Sequence, residues 1–407
     1  MINGNRICLF GPEWRQVDAA GTDCSGVFWI SEDGAKAVID NRGVHRALKK
    51  YVTEADIEPG KNYCISVSFR ESDTSSRNVV YGLITLCKED GTQTRRIYLE
   101  EKVCGKLSLT FQSEEETSLR LELGIKREGK VVWYRPLLQE CEQKPERKVK
   151  IASVYIKAVH GTHYDEKLKK IEESFDKAAK DGADLIAYAE DINSNATTLS
   201  FEESFETIDG KYCTMMRRKS KEYGCYVFFT YHELDENGYR CNTAILVGRD
   251  GEIVGRYCKT HLSLGEYEGG LVPGDDYPVF DTDFGRVGML ICWDAYFPEP
   301  ARAMAFKGAE ILLVSTAGNP TYRHIARAME NGVYVVVSCR DGSPCAGIAP
   351  TKIINPQGIV LAETCEDEEA ATAVIDLNEE RYLYWLSVGP ANAIPNNIYM
   401  HEYRDDM

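Results

Sequence analysis

Residues 287–316 read VGMLICWDAYFPEPARAMAFKGAEILLVST. An apolar run, Val287–Ile291, stops at Cys292-Trp293-Asp294. A Phe-Pro-Glu turn follows, then a stretch that reads as helix, then a second apolar run in EILLVST. Strand, turn, helix, strand is the grammar of a layered α/β domain with helices outside the sheet. The run also delivers a thiol to the carboxyl end of a strand built for a core. Ligands gather at those ends in α/β sheets.

The same grammar extends outward from this stretch. VKIASVYIK reads as a strand. YDEKLKKIEESFDKAAKDG reads as an amphipathic helix with Leu168, Ile171, Phe175, Ala178 and Ala179 on one face and Gly182 at its stop. ADLIAYAE is a strand, KYCTMMRRKSKEYG a helix and CYVFFTYHEL another strand. RCNTAILVGRDGEIVGRYCKTHL is a hairpin turning at Asp250-Gly251. HIARAMENG, VYVVVSC and the strand pair TKIINPQGIVLAET and ATAVIDL complete the series.

Upstream of the charged stretch CEQKPERKVK the pattern changes from helical spacing to period two. NYCISVSFR alternates Ile65, Val67 and Phe69 against Cys64, Ser66 and Ser68. GKLSLTFQS puts Leu107, Leu109 and Phe111 on one face. SLRLELGI does the same with Leu119, Leu121, Leu123 and Ile125, then turns at residues 127–130 into Val131-Val132-Trp133. KEDGTQTRRIYLE adds a hairpin at Asp90-Gly91. Such alternation marks half-buried antiparallel strands. The expectation is two domains: an all-β sandwich of jelly-roll kind over 1–147, and an α/β domain over 148–407.

Composition narrows the class. The chain has 407 residues, 43% of them hydrophobic, enough for a sizeable core, and a formal net charge of −16. An acidic surface repels phosphate backbones and anionic membranes, so neither nucleic acid nor membrane is an expected partner. No apolar run approaches the roughly 18–20 residues of a membrane helix, and the start, MINGNRICLF, does not read as a signal peptide. Fourteen cysteines without a CxxC pair suggest neither zinc nor a thioredoxin-like motif. They read as reduced thiols in a cytoplasmic protein, with no cofactor or metal expected.

Three chemistry-bearing residues follow apolar runs. Glu190 ends DLIAYAE, Lys259 follows EIVGRYC and Cys292 ends GMLIC. One acid, one amine and one thiol are what thiol-based acyl transfer needs. The thiol requires a base or a positive neighbour, Glu190 can take its proton, and Lys259 can stabilise thiolate and oxyanion. His261 sits two residues past Lys259 and reads as positioning that residue's loop.

LIAYAE, GRYCKTHL and GMLICWDAYFPEPAR together resemble the three signatures of the nitrilase superfamily, the carbon–nitrogen hydrolases, in order and rough spacing. GAEILLVSTAG, RAMEN and NPQGIVLAE resemble the accompanying stretches, so the likeness covers about residues 148–407. The resemblance implies an αββα four-layer sandwich, with Cys292 as nucleophile and Glu190 as general base. It implies Lys259 and the Trp293 N–H at the tetrahedral intermediate. It also implies a second glutamate, for which the chain offers Glu266 and Glu268; spacing from Lys259 favours Glu266. Substrate contacts are expected from the residues after the thiol, Trp293, Asp294 and Tyr296. Some relatives place arginines there to hold a carboxylate; this chain has Asp294, Ala295 and Tyr296, leaving Arg323 or Arg340 for such a task.

The expected function is hydrolysis of a small amide or N-carbamoyl compound through a thioester. Nitrile hydrolysis and transfer of the acyl group to an amine use the same three residues. A different class, glycan or partner binding by the β-sandwich, rests on Trp14, Phe28, Trp29 and Trp133. The aromatic tail NEERYLYWLSVGPANAIPNNIYM, in a region that relatives often use across a dimer interface, suggests a homo-oligomer.

Overall fold

The computed structural model describes residues 15–18, 27–30, 36–40, 49–72, 80–103, 105–125, 129–142, 147–318, 321–340, 351–366 and 369–379. Trp14 and the aromatic tail lie outside them, and for Phe28 and Trp29 only the backbone strand is described. The chain forms two compact units that divide at Pro145/Glu146.

In the first unit every described strand pairing is antiparallel. One sheet has the order Arg15–Asp18, Lys49–Asp56, Ser118–Ile125, Val80–Cys87, Gln93–Tyr98. The other runs Val27–Ile30, Lys36–Asp40, Lys130–Tyr134, Asn62–Ser72, Lys106–Gln112, Glu100–Val103, with Leu137–Glu140 also on Asn62–Ser72. The alternating residues meet in one core that includes Ile65, Val67, Leu107, Phe111, Leu119, Leu121 and Leu123. The Tyr51 hydroxyl crosses it to the Val38 carbonyl at 2.9 Å. The hairpin at Asp90-Gly91 forms as expected, with Gly91 at φ 81°, where a side chain would be strained. Ser118–Ile125 and Lys130–Tyr134 do not pair with each other; the chain crosses from one sheet to the other between them. Trp133 is fully buried, with its ring 5.4 Å from Phe69. It is core, and the glycan-platform expectation does not hold for it.

A buried ion pair pins one edge of this unit. Arg95 Nε donates to Glu116 Oε1 at 3.0 Å, and both side chains are almost fully enclosed. Burial pushes the Glu116 carboxyl up. Bonds from Thr94 and the Glu114 N–H, together with Arg95, override it and hold the group below its ordinary value. A carboxyl depressed in the fold contributes stability that is full above its unfolded value, about 4.3. That contribution is lost as pH falls through the folded value. Glu116→Gln, which takes the nearest carboxylate from the buried guanidinium and leaves it the more distant Glu114, is expected to cost about 3 kcal/mol at neutral pH. The difference from wild type should shrink below about pH 4. Denaturant unfolding followed by circular dichroism at the two pH values checks this.

The second unit holds two six-stranded sheets. The first runs Ile253–Cys258, Arg240–Val247, Tyr226–Leu234, Leu185–Ala187, Lys148–Val154, Ala370–Asp376. The second runs Val279–Asp281, Arg286–Ile291, Ile311–Thr316, Tyr334–Cys339, Thr351–Ile354, Val360–Thr364. Three central strands of each are parallel. These are the near-continuous apolar runs of the sequence, as strands covered on both faces must be. Helices α1 (Tyr164–Lys180) and α2 (Lys211–Tyr223) pack on the first sheet; α4 (Pro298–Phe306) and α5 (Thr321–Asn331) pack on the second. The short α3 (Leu264–Glu268) lies between the strand pairs. Helix α1 buries Ile171, Phe175 and Ala178, and Gly182 follows it at φ 82°.

Between the sheets the contacts include small hydroxyl residues. Ser153 Oγ lies 2.6 Å from Ser338 Oγ and donates to the Val337 carbonyl at 3.0 Å. Thr230 Oγ1 lies 3.0 Å from Ser315 Oγ, which donates to the Tyr188 carbonyl at 3.1 Å. Short side chains let the sheets approach closely, and each buried hydroxyl finds a partner, which offsets its desolvation. The second of these links sits beside the strand end that carries Glu190.

Candidate active site

Cys292 opens a 3-10 turn, Cys292–Tyr296, at the end of strand Arg286–Ile291. Its φ is 44°, in the left-handed region that a side chain enters only at a cost of order 1–3 kcal/mol. Asp294 supports the turn. It has no exposed surface, and its two oxygens accept from the Ile291 N–H at 3.0 Å, the Tyr257 hydroxyl at 2.7 Å, the Thr260 hydroxyl at 3.1 Å and the His261 N–H at 2.9 Å. His261 Nδ1 is also 3.1 Å away, and its ring stacks on Phe297 with centroids 4.2 Å apart. Asp294 therefore ties the thiol's turn to the Lys259 loop. The expectation that it contacts substrate is corrected: it is enclosed and its acceptors are occupied. His261 holds the loop, as its place in the sequence suggested.

Lys259 lies buried at the end of strand Ile253–Cys258 and gathers two carboxylates. Its Nζ is 3.0 Å from Glu190 Oε1 and 2.8 and 2.9 Å from the two oxygens of Glu266. Burial pulls the ammonium pKa down, but the charges of Glu190 and Glu266 and the Glu266 hydrogen bond override it and raise the pKa, so the amine stays charged. Glu266 is placed by a capping box. The Ser263 side chain accepts from the Glu266 N–H, and Glu266 Oε2 accepts from the Ser263 N–H at 2.7 Å. Glu268 ends the same helix exposed to solvent, so of the two glutamates only Glu266 reaches Lys259.

Glu190 is enclosed three residues past strand Leu185–Ala187. Besides Lys259, its Oε1 accepts from Asn242 Nδ2 at 3.0 Å, and its Oε2 accepts from the Ala317 N–H at 2.9 Å. The Asn242 amide also donates to Glu266 at 2.7 Å. The Cys292 thiol is pushed up to about 12, by burial first and by Glu190 second, against the opposing pull of Lys259. Hydrogen bonding from Thr316 and the Ala317 N–H eases it downward. The Ala317 amide donates to Glu190 and also acts on the thiol. At rest the sulfur keeps its proton.

Sequence reasoning missed Asn242, Thr316 and Ala317. Trp293, the residue after the thiol, is 38% exposed, and its ring is 4.2 Å from that of Tyr296. The Arg323 guanidinium rests 4.0 Å from the Tyr296 ring, and Arg340 Nη1 pairs with Asp191 at 3.2 Å. Among the described residues no group of three or more His, Cys, Asp or Glu side chains is arranged to hold a metal ion, and no helix is long and apolar enough to cross a membrane.

Residues 150–383 match the family model described as carbon-nitrogen hydrolase. The match covers more than half of the chain, and the chain belongs to this family, the nitrilase superfamily, whose members act on carbon–nitrogen bonds other than peptide bonds. The omega-amidase NIT2-A of Xenopus laevis is 32% identical over 219 residues, 49% of this chain and 79% of the relative. A nitrilase of Pyrococcus abyssi is 33% identical over 227 residues, 52% of this chain and 84% of the relative. Among solved structures, Nit3 of Saccharomyces cerevisiae, a member of branch 10 of the nitrilase superfamily, shares the fold. Its TM-score is 0.50 at 24% identity, over 56% of this chain and 90% of that one.

Proposed function

We propose that the protein hydrolyses small amides or N-carbamoyl compounds through a thioester on Cys292. The observation that carries this reading is the enclosed Glu190 bonded to Lys259, which also bonds Glu266, with both Glu190 and Lys259 acting on the Cys292 thiol. Glu190 takes the Sγ proton as the sulfur attacks the carbonyl carbon. The developing oxyanion meets the Trp293 N–H and Lys259. In the resting site all three Nζ hydrogens face carboxylate oxygens; the two-oxygen grip of Glu266 can slacken to one and free a donor. Collapse breaks the C–N bond, and Glu190 returns its proton to the departing amine. Water deprotonated by Glu190 then cleaves the thioester, giving the acid and restoring the thiol. A positioned acid–base group supplies about 10²–10⁴-fold.

The four layers of the second unit fit the αββα sandwich in this reading, the first unit is a jelly-roll-like accessory, and the chain assembles as a homo-oligomer. A monomeric mass by light scattering overturns that last point. The activity is tested by ammonia release from a panel of amides, carbamoyl compounds and nitriles, with mass spectrometry of the Cys292 peptide. Turnover of amides with an acyl adduct on Cys292 is expected. Turnover of nitriles alone, or product formed only with an added amine acceptor, replaces hydrolysis of amides by the nitrilase or acyltransferase branch.

A further inference from the structure

Glu190 is held at its carboxylate by Lys259, Asn242 and Ala317, and a second set of contacts holds the residue after it. Among the described residues three non-glycines have positive φ: Asp191 at 51°, Ala196 at 61° and Cys292 at 44°. Two of these stand at or beside a reacting group. A left-handed residue persists only where its surroundings over-determine it, and Asp191 is gripped through backbone and side chain. Its N–H donates to Thr230 Oγ1 at 3.3 Å, and its carbonyl accepts from the Ser194 N–H at 3.0 Å and the Asn195 N–H at 2.7 Å. Its carboxylate Oδ2 accepts from Arg340 Nη1 at 3.2 Å, and its buried Oδ1 lies 3.3 Å from His232 Nε2 without a hydrogen bond.

The two side chains that flank this carboxylate come from different sheets. His232 belongs to strand Tyr226–Leu234 of the first sheet. Its imidazole is fixed on three sides: Nδ1 lies 2.8 Å from Ser204 Oγ, the ring stacks on Phe205 with centroids 5.2 Å apart, and Phe201 meets it edge-on at 5.4 Å. Arg340 follows strand Tyr334–Cys339 of the second sheet, and its N–H donates to the Thr316 carbonyl at 3.0 Å. Two consecutive residues of one strand end therefore reach across to the other sheet, Glu190 to the Ala317 N–H and Asp191 to Arg340.

We propose that Asp191 is a positioning residue for Glu190: its carboxylate, held by Arg340 and seated beside His232, fixes the left-handed turn that aims the general base at the Cys292 thiol. The inference rests on the proposed role of Glu190. A base displaced by about 1 Å costs about 10²-fold in rate, without altering substrate contacts that Asp191 does not make.

The test compares Asp191→Ala, Asp191→Gly and Asp191→Asn with wild type, each checked for an unchanged melting transition. With an amide substrate, Asp191→Ala is expected to lower kcat about 100-fold with KM within about threefold. Asp191→Gly, which accepts φ 51° without strain but has no carboxylate, should fall nearly as far. Asp191→Asn, which tolerates the left-handed region and keeps one acceptor oxygen, should recover to within about tenfold of wild type. A wild-type kcat in Asp191→Ala, or in Asp191→Gly, overturns the proposal, the latter because backbone freedom alone would then suffice. A raised KM at unchanged kcat overturns it too, by making Asp191 a substrate contact. If Asp191→Ala fails to fold, Arg340→Gln decides, with the same kcat loss at constant KM expected. Iodoacetamide alkylation of Cys292 at neutral pH, read on its peptide, separates the two claims. It should slow with kcat in the Asp191 variants even if the wild-type protein turns over no amide, whereas an unchanged alkylation rate overturns the positioning role.

Discussion

Cys292→Ala is expected to abolish turnover, by on the order of 10⁴-fold or more, and to leave the fold intact. A nucleophile that acts as a unit with its base takes the covalent route with it when removed. The change removes one sulfur from a turn that Asp294 holds through the Ile291, Tyr257, Thr260 and His261 groups. Left-handed strain at residue 292 remains with alanine, so stability should change little. Cys292→Ser should be equally inactive, because a hydroxyl in the same enclosed place is far harder to deprotonate than a thiol. Kinetics on a confirmed amide substrate, with melting curves of both variants, check the expectation. Wild-type hydrolysis by Cys292→Ala would remove the thioester from the mechanism.

The three residues that meet here were legible because each closes an apolar run: Glu190 and Cys292 follow parallel strands buried on both faces, which have few other places to put a charge or a thiol, and Lys259 follows an antiparallel strand. Glu190, Lys259 and Cys292 could be found without knowing which strands pair. The choice between Glu266 and Glu268 also had a local signal, since Ser263-Leu264-Gly265-Glu266 is a capping-box sequence and turns the glutamate back on its own helix start. Asp294 was harder to read. Its partners lie 33 to 37 residues upstream, apart from Ile291, and nothing local says that a carboxylate after a thiol faces inward. Asn242 is a polar residue inside a strand, and its meaning appears only when the neighbouring strands bring Glu190 and Glu266 to it. The hydroxyls that join the two sheets were visible as single small polar residues within apolar runs, in IASV, FFTY, LVST and VVVSC. Their pairing depends on which sheets face each other, which periodicity cannot say. In the first unit alternation gave the faces of the strands but not their partners, because successive strands often change sheet.

Lys259→Met should disable both the chemistry and the packing of the second unit, and a second substitution should separate the two. The ammonium stands within 3.0 Å of both Glu190 and Glu266, and the remaining donors, the Asn242 amide and the Ala317 and Ser263 N–H groups, carry no charge to neutralise them. Removing the cation leaves two carboxylates enclosed together, which is costly because each has lost its counter-charge. A loss of about 3–5 kcal/mol is expected, with activity down by at least about 10³-fold as both the oxyanion donor and the anchor of the base disappear. Glu266→Gln in the Lys259→Met background removes one of the two uncompensated charges, so it should restore part of the stability. Activity should stay lost, because the amine is still missing. Denaturant unfolding of the four proteins in this cycle gives the coupling between residues 259 and 266 directly, expected to exceed about 1 kcal/mol for groups in contact. A coupling near zero would mean that Glu266 leaves the cation in solution. Restored turnover in the double variant would mean that Lys259 acts only by offsetting Glu266, and that the oxyanion relies on the Trp293 N–H.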